Sequence, residues 1–362
     1  MVAGAVLLFT ITSSCSVSRP ATPTATGVAP PTNTASPTRS ESPSPTGTPT
    51  ATQTQTRTNT PTIAPPCFSG CRVYASNAGT NSVTVVDVST NTILTTVAVG
   101  TSPWGIAISP DGSFALVADG ATNMMTRIDT ATNTVVGTMW PGNCPYAVAY
   151  SPDGSRVYVS NYCSSTISVM DVATNSPIAT VPVPASPEGL AVTPNGSRIY
   201  VAVDSANVVS VISATTLSVI ATLAAGPGPI GVAVTPDGLR VYVSNCSGNS
   251  VSVISTASNQ IVATVAVGSI PLEIAMTPNG SRAYVGNYGV ATLSVVDLAS
   301  GVAVATIPVG TLPRGTVVTP DGSFVYVTSE NAGTISVVDV STGANVATVA
   351  VGASSWGIAV RR

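Results

Sequence analysis

The chain has 362 residues, of which 44% are hydrophobic and 7% charged, with a net charge of −3. That acidic balance argues against a nucleic-acid partner, which needs a basic face. Histidine is absent and all twelve basic residues are arginines, which removes Ser-His-Asp and Cys-His catalysis, lysine Schiff bases, the P-loop lysine and histidine-ligated metal sites.

Residues 2–11 (VAGAVLLFTI) form an apolar run of signal-peptide length, too short to span a membrane as a helix. The following Thr12-Ser13-Ser14-Cys15 resembles a bacterial lipoprotein signal, in which Cys15 would be acylated, although Thr12 stands where that motif usually has Leu. An ordinary cleaved signal peptide is the alternative, and residues 1–15 are assigned to export on either reading. From residue 16 to 66 the chain is of low complexity, 26 of its 51 residues being Thr or Pro. Such a segment buries too little apolar surface to offset its ordering entropy and is expected to be an extended stalk, in reach on the order of 150 Å.

Residues 67–362 carry a 42-residue repeat without insertions, with copies starting at Arg72, Phe114, Arg156, Arg198, Arg240, Arg282 and Phe324. In the first copy the period-2 alternation predicts strands over Val73–Ser76, Ser82–Val88, Thr92–Val99 and Gly105–Ser109. A Pro-Asp-Gly or Pro-Asn-Gly turn closes each unit, as at Pro110 and Pro194. The recurring aspartates Asp87, Asp129, Asp171, Asp297 and Asp339 are read as turn-shaping. Four short strands per repeat predict an all-β, seven-bladed β-propeller. The last copy ends just after an innermost strand, so the C-terminal strand is expected to complete the first blade and close the ring.

The segments Val157-Tyr158-Val159-Ser160-Asn161 and Val241–Asn245, with the Ser-Val-x-Val-(Ile/Val)-Asp and Ala-Val-Thr-Pro-(Asp/Asn)-Gly stretches, are similar to the YVTN-type propeller repeat. The resemblance covers 72–360 and implies a propeller of bacterial or archaeal surface and cell-envelope proteins. It implies no particular activity.

Export makes disulfides expected. Cys144 and Cys163 fall at the same end of neighbouring strands and are paired in this reading. Cys67 and Cys71 flank a short CFSGC loop and form a second candidate bridge, which leaves Cys246 unpaired. No cysteine spacing matches a zinc motif, and no metal or cofactor is expected.

In so regular a repeat the departures are informative. The residue after the Pro that precedes each innermost strand is Trp104, Tyr146, Glu188, Ile230, Leu272, Arg314 and Trp356 in turn. This position is expected to face the channel mouth. Glu273 replaces a usual Gly, and Trp140 lies in the loop ahead of Tyr146. Asp119, Asp204 and Glu330 follow second strands and are expected to rim the same face. A ligand- or partner-binding mouth is therefore assigned to Trp104, Tyr146, Glu188, Glu273, Arg314 and Trp356: aromatics for apolar or sugar-ring contact, Arg314 for a carboxylate, the two glutamates as polar anchors. The reading set against it is surface drift, with the Trp side chains plugging the channel.

Two functions follow. One is an extracytoplasmic, non-catalytic binding module for a protein or glycan, monomeric and touching the membrane only through a lipid at Cys15. The other is an exported lyase, lactonase or glycoside-active enzyme using Glu188 or Glu273 with Arg314.

Overall fold

Each repeat folds into strands where its alternation places them. In the first copy β1 (Arg72–Asn77), β2 (Ser82–Asp87) and β3 (Thr92–Ala98) form an antiparallel meander, and β4 (Pro103–Ile108) opens the next sheet. The computed structural model describes residues 70–361, and within them the pattern continues to β28 (Ser355–Arg361). The expected signal, Cys15, the stalk and Cys67 lie outside the described residues. The result is seven four-stranded antiparallel sheets, the blades of a β-propeller. Among the described residues no helix is long and apolar enough to cross a membrane.

Blade 1 has the order β28-β1-β2-β3, and blades 2 to 7 each take four consecutive strands. The C-terminal strand therefore closes the ring as expected, with Val73 opposite Val360 and Tyr74 opposite Ala359. Closure gives β1 a partner on its inner side, so blade 1 has four strands like the others.

The second strand of every blade is sandwiched between neighbouring blades, so it is buried on both faces. Tyr74, Tyr158, Tyr200, Tyr242, Tyr284 and Tyr326 are the largest fully buried side chains. A buried phenol is usually given a partner for its hydroxyl, although that of Tyr242 has none among the described residues. Tyr74 and Tyr200 donate to the Oδ1 of Asn133 and Asn259 in the next blade, each at 2.8 Å. Tyr326 donates to Asn91 at 2.6 Å, across the closing seam. These asparagines sit in the left-handed region, at φ of 55°, 51° and 55°, which Asn tolerates better than most residues. The arginines that open the repeats are staples of the same kind: Arg72 and Arg156 each donate at 2.9 Å to a carbonyl of a neighbouring blade, those of Thr130 and Ala214. The turn aspartates are structural too. Asp87 Oδ1 accepts from the Ser89 amide at 2.8 Å, and Asp339 Oδ1 from the Ser341 and Thr342 amides, both at 2.9 Å. The hydroxyls of Ser89 and Ser341 donate to the same oxygens, and these bonds, the hydroxyls' first and the amides' after them, favour the charged form and hold both carboxyls below the ordinary Asp range.

Around the axis the inner strands are held by a hydroxyl clasp. Ser76 accepts from the Gly357 amide of its own blade at 2.9 Å and donates to the Trp104 carbonyl of the next at 2.5 Å. Ser160, Ser244 and Thr328 repeat this on the carbonyls of Glu188, Leu272 and Trp356. The Ser/Thr of the repeat is thus an inter-blade bond. Glycine follows at the next step of the inner strand for a steric reason. A Cβ at Gly189 would run into the Ile230 carbonyl oxygen, and one at Gly357 into that of Trp104.

Cys144 and Cys163 form the expected disulfide, 19 residues apart. Replacing both by Ser is expected to lower stability by about 3 kcal/mol, the loop-closure value for this length, read by urea denaturation under non-reducing conditions. An unchanged midpoint would mean that the surrounding backbone already fixes the loop. Cys71 is disulfide-bonded, and so is Cys246. The expectation that Cys246 is unpaired is therefore corrected: no cysteine is free among the described residues.

Candidate functional site

The inner strands β4, β8 (Pro145–Tyr150), β12 (Pro187–Val192), β16 (Pro229–Val234), β20 (Pro271–Met276), β24 (Pro313–Val318) and β28 line the channel. Their second residues are Trp104, Tyr146, Glu188, Ile230, Leu272, Arg314 and Trp356, all of which are buried. They do not stand open at a rim. Four of them, Trp104, Tyr146, Arg314 and Trp356, pack on one another.

The packing has a sequence. Arg314 lays its guanidinium over the Trp356 ring, 3.1 Å from the centroid. Trp356 stacks on Trp104 with centroids 5.5 Å apart and planes 20° from parallel. Tyr146 meets Trp104 at 5.6 Å and Trp356 edge-on at 6.1 Å. Ile230 and Leu272 join Cys246 and Tyr288 in a separate apolar cluster on the other side. Cation–π and aromatic contacts of this kind add to area burial when desolvated. The charge on Arg314 is met by Glu330, at 2.8 Å in a buried ion pair.

Beneath this layer lies a cavity of about 140 Å³. Its walls include Trp104, Tyr146, Arg314 and Trp356, the glycines of the inner strands, and Glu273. Among the described residues Glu273 is the only acidic one lining it. Its carboxyl is pushed up to about 7, chiefly by desolvation; Arg314 pulls the other way and Glu188 adds to the rise. Of the three residues expected to act together, Glu273 and Arg314 therefore share one cavity, and the charge of Glu188 reaches Glu273. Glu188 itself is completely buried, at 0% exposure.

The expected acidic rim is not a rim. Asp204 and Glu330 are buried. Asp119 is the last residue of β5 (Phe114–Asp119) and occupies the place that Asn77, Asn161, Asn245 and Asn287 hold in other blades. There it accepts from Thr126 Oγ1 at 2.6 Å, while its Oδ1 is buried without a partner. Burial raises its carboxyl to about 7.

One residue stands out on the surface instead. Trp140 is 66% exposed. It follows β7 (Thr134–Met139) on the loop that crosses the channel-mouth end to Pro145, and the Cys144–Cys163 disulfide pins that loop. The corresponding residues are Ala98, Pro182, Ala224, Ala266, Pro308 and Ala350. That contrast was the available signal for Trp140.

No family matches the chain as a sequence, and no curated protein does. Solved structures match in fold. A hydrazine synthase from Kuenenia stuttgartiensis is 22% identical, over 74% of this chain and 92% of that one, with a TM-score of 0.68. A functionally unknown protein from Desulfotomaculum acetoxidans is 20% identical over 80% of this chain and 99% of its own, with a TM-score of 0.73. Dihydro-heme d1 dehydrogenase NirN is 14% identical over 79% and 74%, with a TM-score of 0.61. At these identities the likeness shows the β-propeller fold alone.

Proposed function

We propose that the chain is an exported, non-catalytic binding propeller of the YVTN type that meets a protein or glycan of the cell envelope through its channel-mouth face. The observation that carries this reading is Trp140, a large exposed aromatic held on a disulfide-pinned loop where other blades have Ala or Pro. Exposed aromatics on rigid loops are typical binding anchors. The signal-like N-terminus and the Thr/Pro segment support an extracytoplasmic placement, lipid-tethered through Cys15, and the disulfide is in keeping with it.

The enzymatic alternative has less support. Arg314 is engaged by Glu330 and stacked on Trp356. A cavity of about 140 Å³ is below the roughly 300–1,000 Å³ of ordinary substrate pockets.

The test is a glycan array together with cross-linking to envelope proteins, using the full chain and its Trp140→Ala variant. An exposed anchor of this type is expected to contribute about 2 kcal/mol, a thirtyfold loss of affinity on truncation. A partner held equally well by the variant would move the recognition surface away from the mouth.

A further inference from the structure

Charge is segregated between the two ends of the ring. The channel-mouth end is built from two connections per blade: the hairpin between the second and third strands of a sheet, as at 78–81, and the crossing to the next inner strand, as at 99–102. Among the described residues these connections hold two charged side chains, Asp204 and Glu330, and both are buried. Asp119, Glu188 and Arg314, which end or open strands at the same level, are buried as well. The exposed charges of the ring, Asp111, Asp153, Asp237, Arg240 and Arg282, lie on the turns and strand starts of the opposite end. Strands of six residues at about 3.3 Å each hold the two ends roughly 20 Å apart, beyond the screening distance of about 8 Å in physiological salt. The mouth face thus presents no charge and feels little of the charge behind it.

What this face does present is one aromatic beside neutral polar groups. Trp140 is exposed there, whereas Tyr146, Tyr162 and Tyr288 are buried. Asn143 and Ser164 are exposed next to the two cysteines of the Cys144–Cys163 bridge, whose Cα atoms are 5.4 Å apart. The bridge therefore holds an indole, an amide and a hydroxyl on one pinned platform. Such a set suits a sugar, whose C–H face packs on an aromatic ring and whose hydroxyls both donate to and accept from amides and hydroxyls. A charged polymer would surrender hydration here without gaining an ion pair. A protein interface centres on aromatic and arginine anchors that cluster. Here the exposed large apolar side chains are Trp140 and, in blade 6, Val290, and no arginine is exposed.

We propose, resting on the mouth-face function above, that the Trp140 platform binds an uncharged hexose unit of an envelope polysaccharide. The sugar ring lies on the indole and its hydroxyls turn toward Asn143 and Ser164. Neutrality then acts as a selection device, since acidic and basic chains find nothing to pair with.

The experiment is calorimetric titration of the full chain with cellohexaose, maltohexaose and mannohexaose. Hexagalacturonate and the glucosamine hexamer serve beside them as chains of similar size with negative or positive charge. The expected result is saturable binding of at least one neutral hexamer with a Kd of about 1 mM or tighter, at least tenfold tighter than either charged one. That affinity should change less than twofold between about 50 mM and about 500 mM salt. Trp140→Ala should weaken it about thirtyfold, and Trp140→Phe, which keeps a ring, should recover most of the loss. Binding of no neutral hexamer, or of a charged one as tightly, would overturn the assignment to neutral glycans. An envelope protein cross-linked at Trp140 in that event would leave the mouth-face function standing. A neutral hexamer held equally well by Trp140→Ala would overturn the platform and the mouth-face function together.

Discussion

Replacing Asp119 by Asn is expected to stabilise the propeller at neutral and alkaline pH and to leave it almost unchanged in acid. The carboxyl of Asp119 rises from an ordinary value of 3.8 to about 7 because it is buried. The folded protein therefore holds a proton that the unfolded chain releases. Wild-type stability should fall as pH climbs from about 4 to about 7 and level off above that. A shift of about three units corresponds to roughly 4 kcal/mol at about pH 8. Asn escapes this penalty and also fits the site. In other blades the Nδ2 of Asn77, Asn161, Asn245 and Asn287 donates to a Ser or Thr hydroxyl at 2.8–2.9 Å, in the position of Thr126. Urea denaturation of Asp119→Asn and wild type at about pH 4, 6 and 8 measures the effect. A gain of the same size at every pH would show that Asp119 ionises normally and that the benefit lies in hydrogen bonding alone.

Removing residues 355–362 is expected to abolish cooperative folding. The strand they form supplies the innermost pairing of blade 1, from Arg72 opposite Arg361 to Asn77 opposite Ser355. It also carries the amide that Ser76 accepts from and the carbonyl that Thr328 donates to. With Trp356 gone, Arg314 and Trp104 lose the ring between them. Truncation of Trp356 alone to Ala is expected to cost about 3–5 kcal/mol. Loss of the whole strand exceeds the 5–15 kcal/mol on which a domain typically subsists. Near-ultraviolet circular dichroism and thermal melting read the outcome. A truncated chain that melts like the parent would mean that the blades hold together without closure.

Most of the fold was legible because the repeat states it seven times. Strand positions, turns and ring closure all follow from period-2 alternation inside a fixed frame. The site was legible only in part, because the repeat reveals which residues differ and not what each of them touches. Trp104, Tyr146, Arg314 and Trp356 were found as exceptions, but their mutual stacking depends on inter-blade distances that no single copy encodes. Asp119 and Asp204 looked alike because both come where a second strand finishes. Asp119 is the last residue of its strand, whereas Asp204 lies one position further on, past the strand Arg198–Val203 and in the 3-10 turn Asp204–Ala206. Glu330 was visible too, yet its role became clear only once Arg314 was seen beside it. Trp140 went the other way: noted in passing, it proved to be the most exposed of the three tryptophans.

The glycines of the inner strands set one more property of the molecule. Because neighbouring backbones already touch there, the bore cannot narrow, and the hydroxyl clasps resist its widening. The channel is a pipe of fixed calibre. The space at its end is therefore set by the side chains stacked there, Trp104, Tyr146, Arg314 and Trp356, and changes with the residues at those positions rather than with movement of the blades.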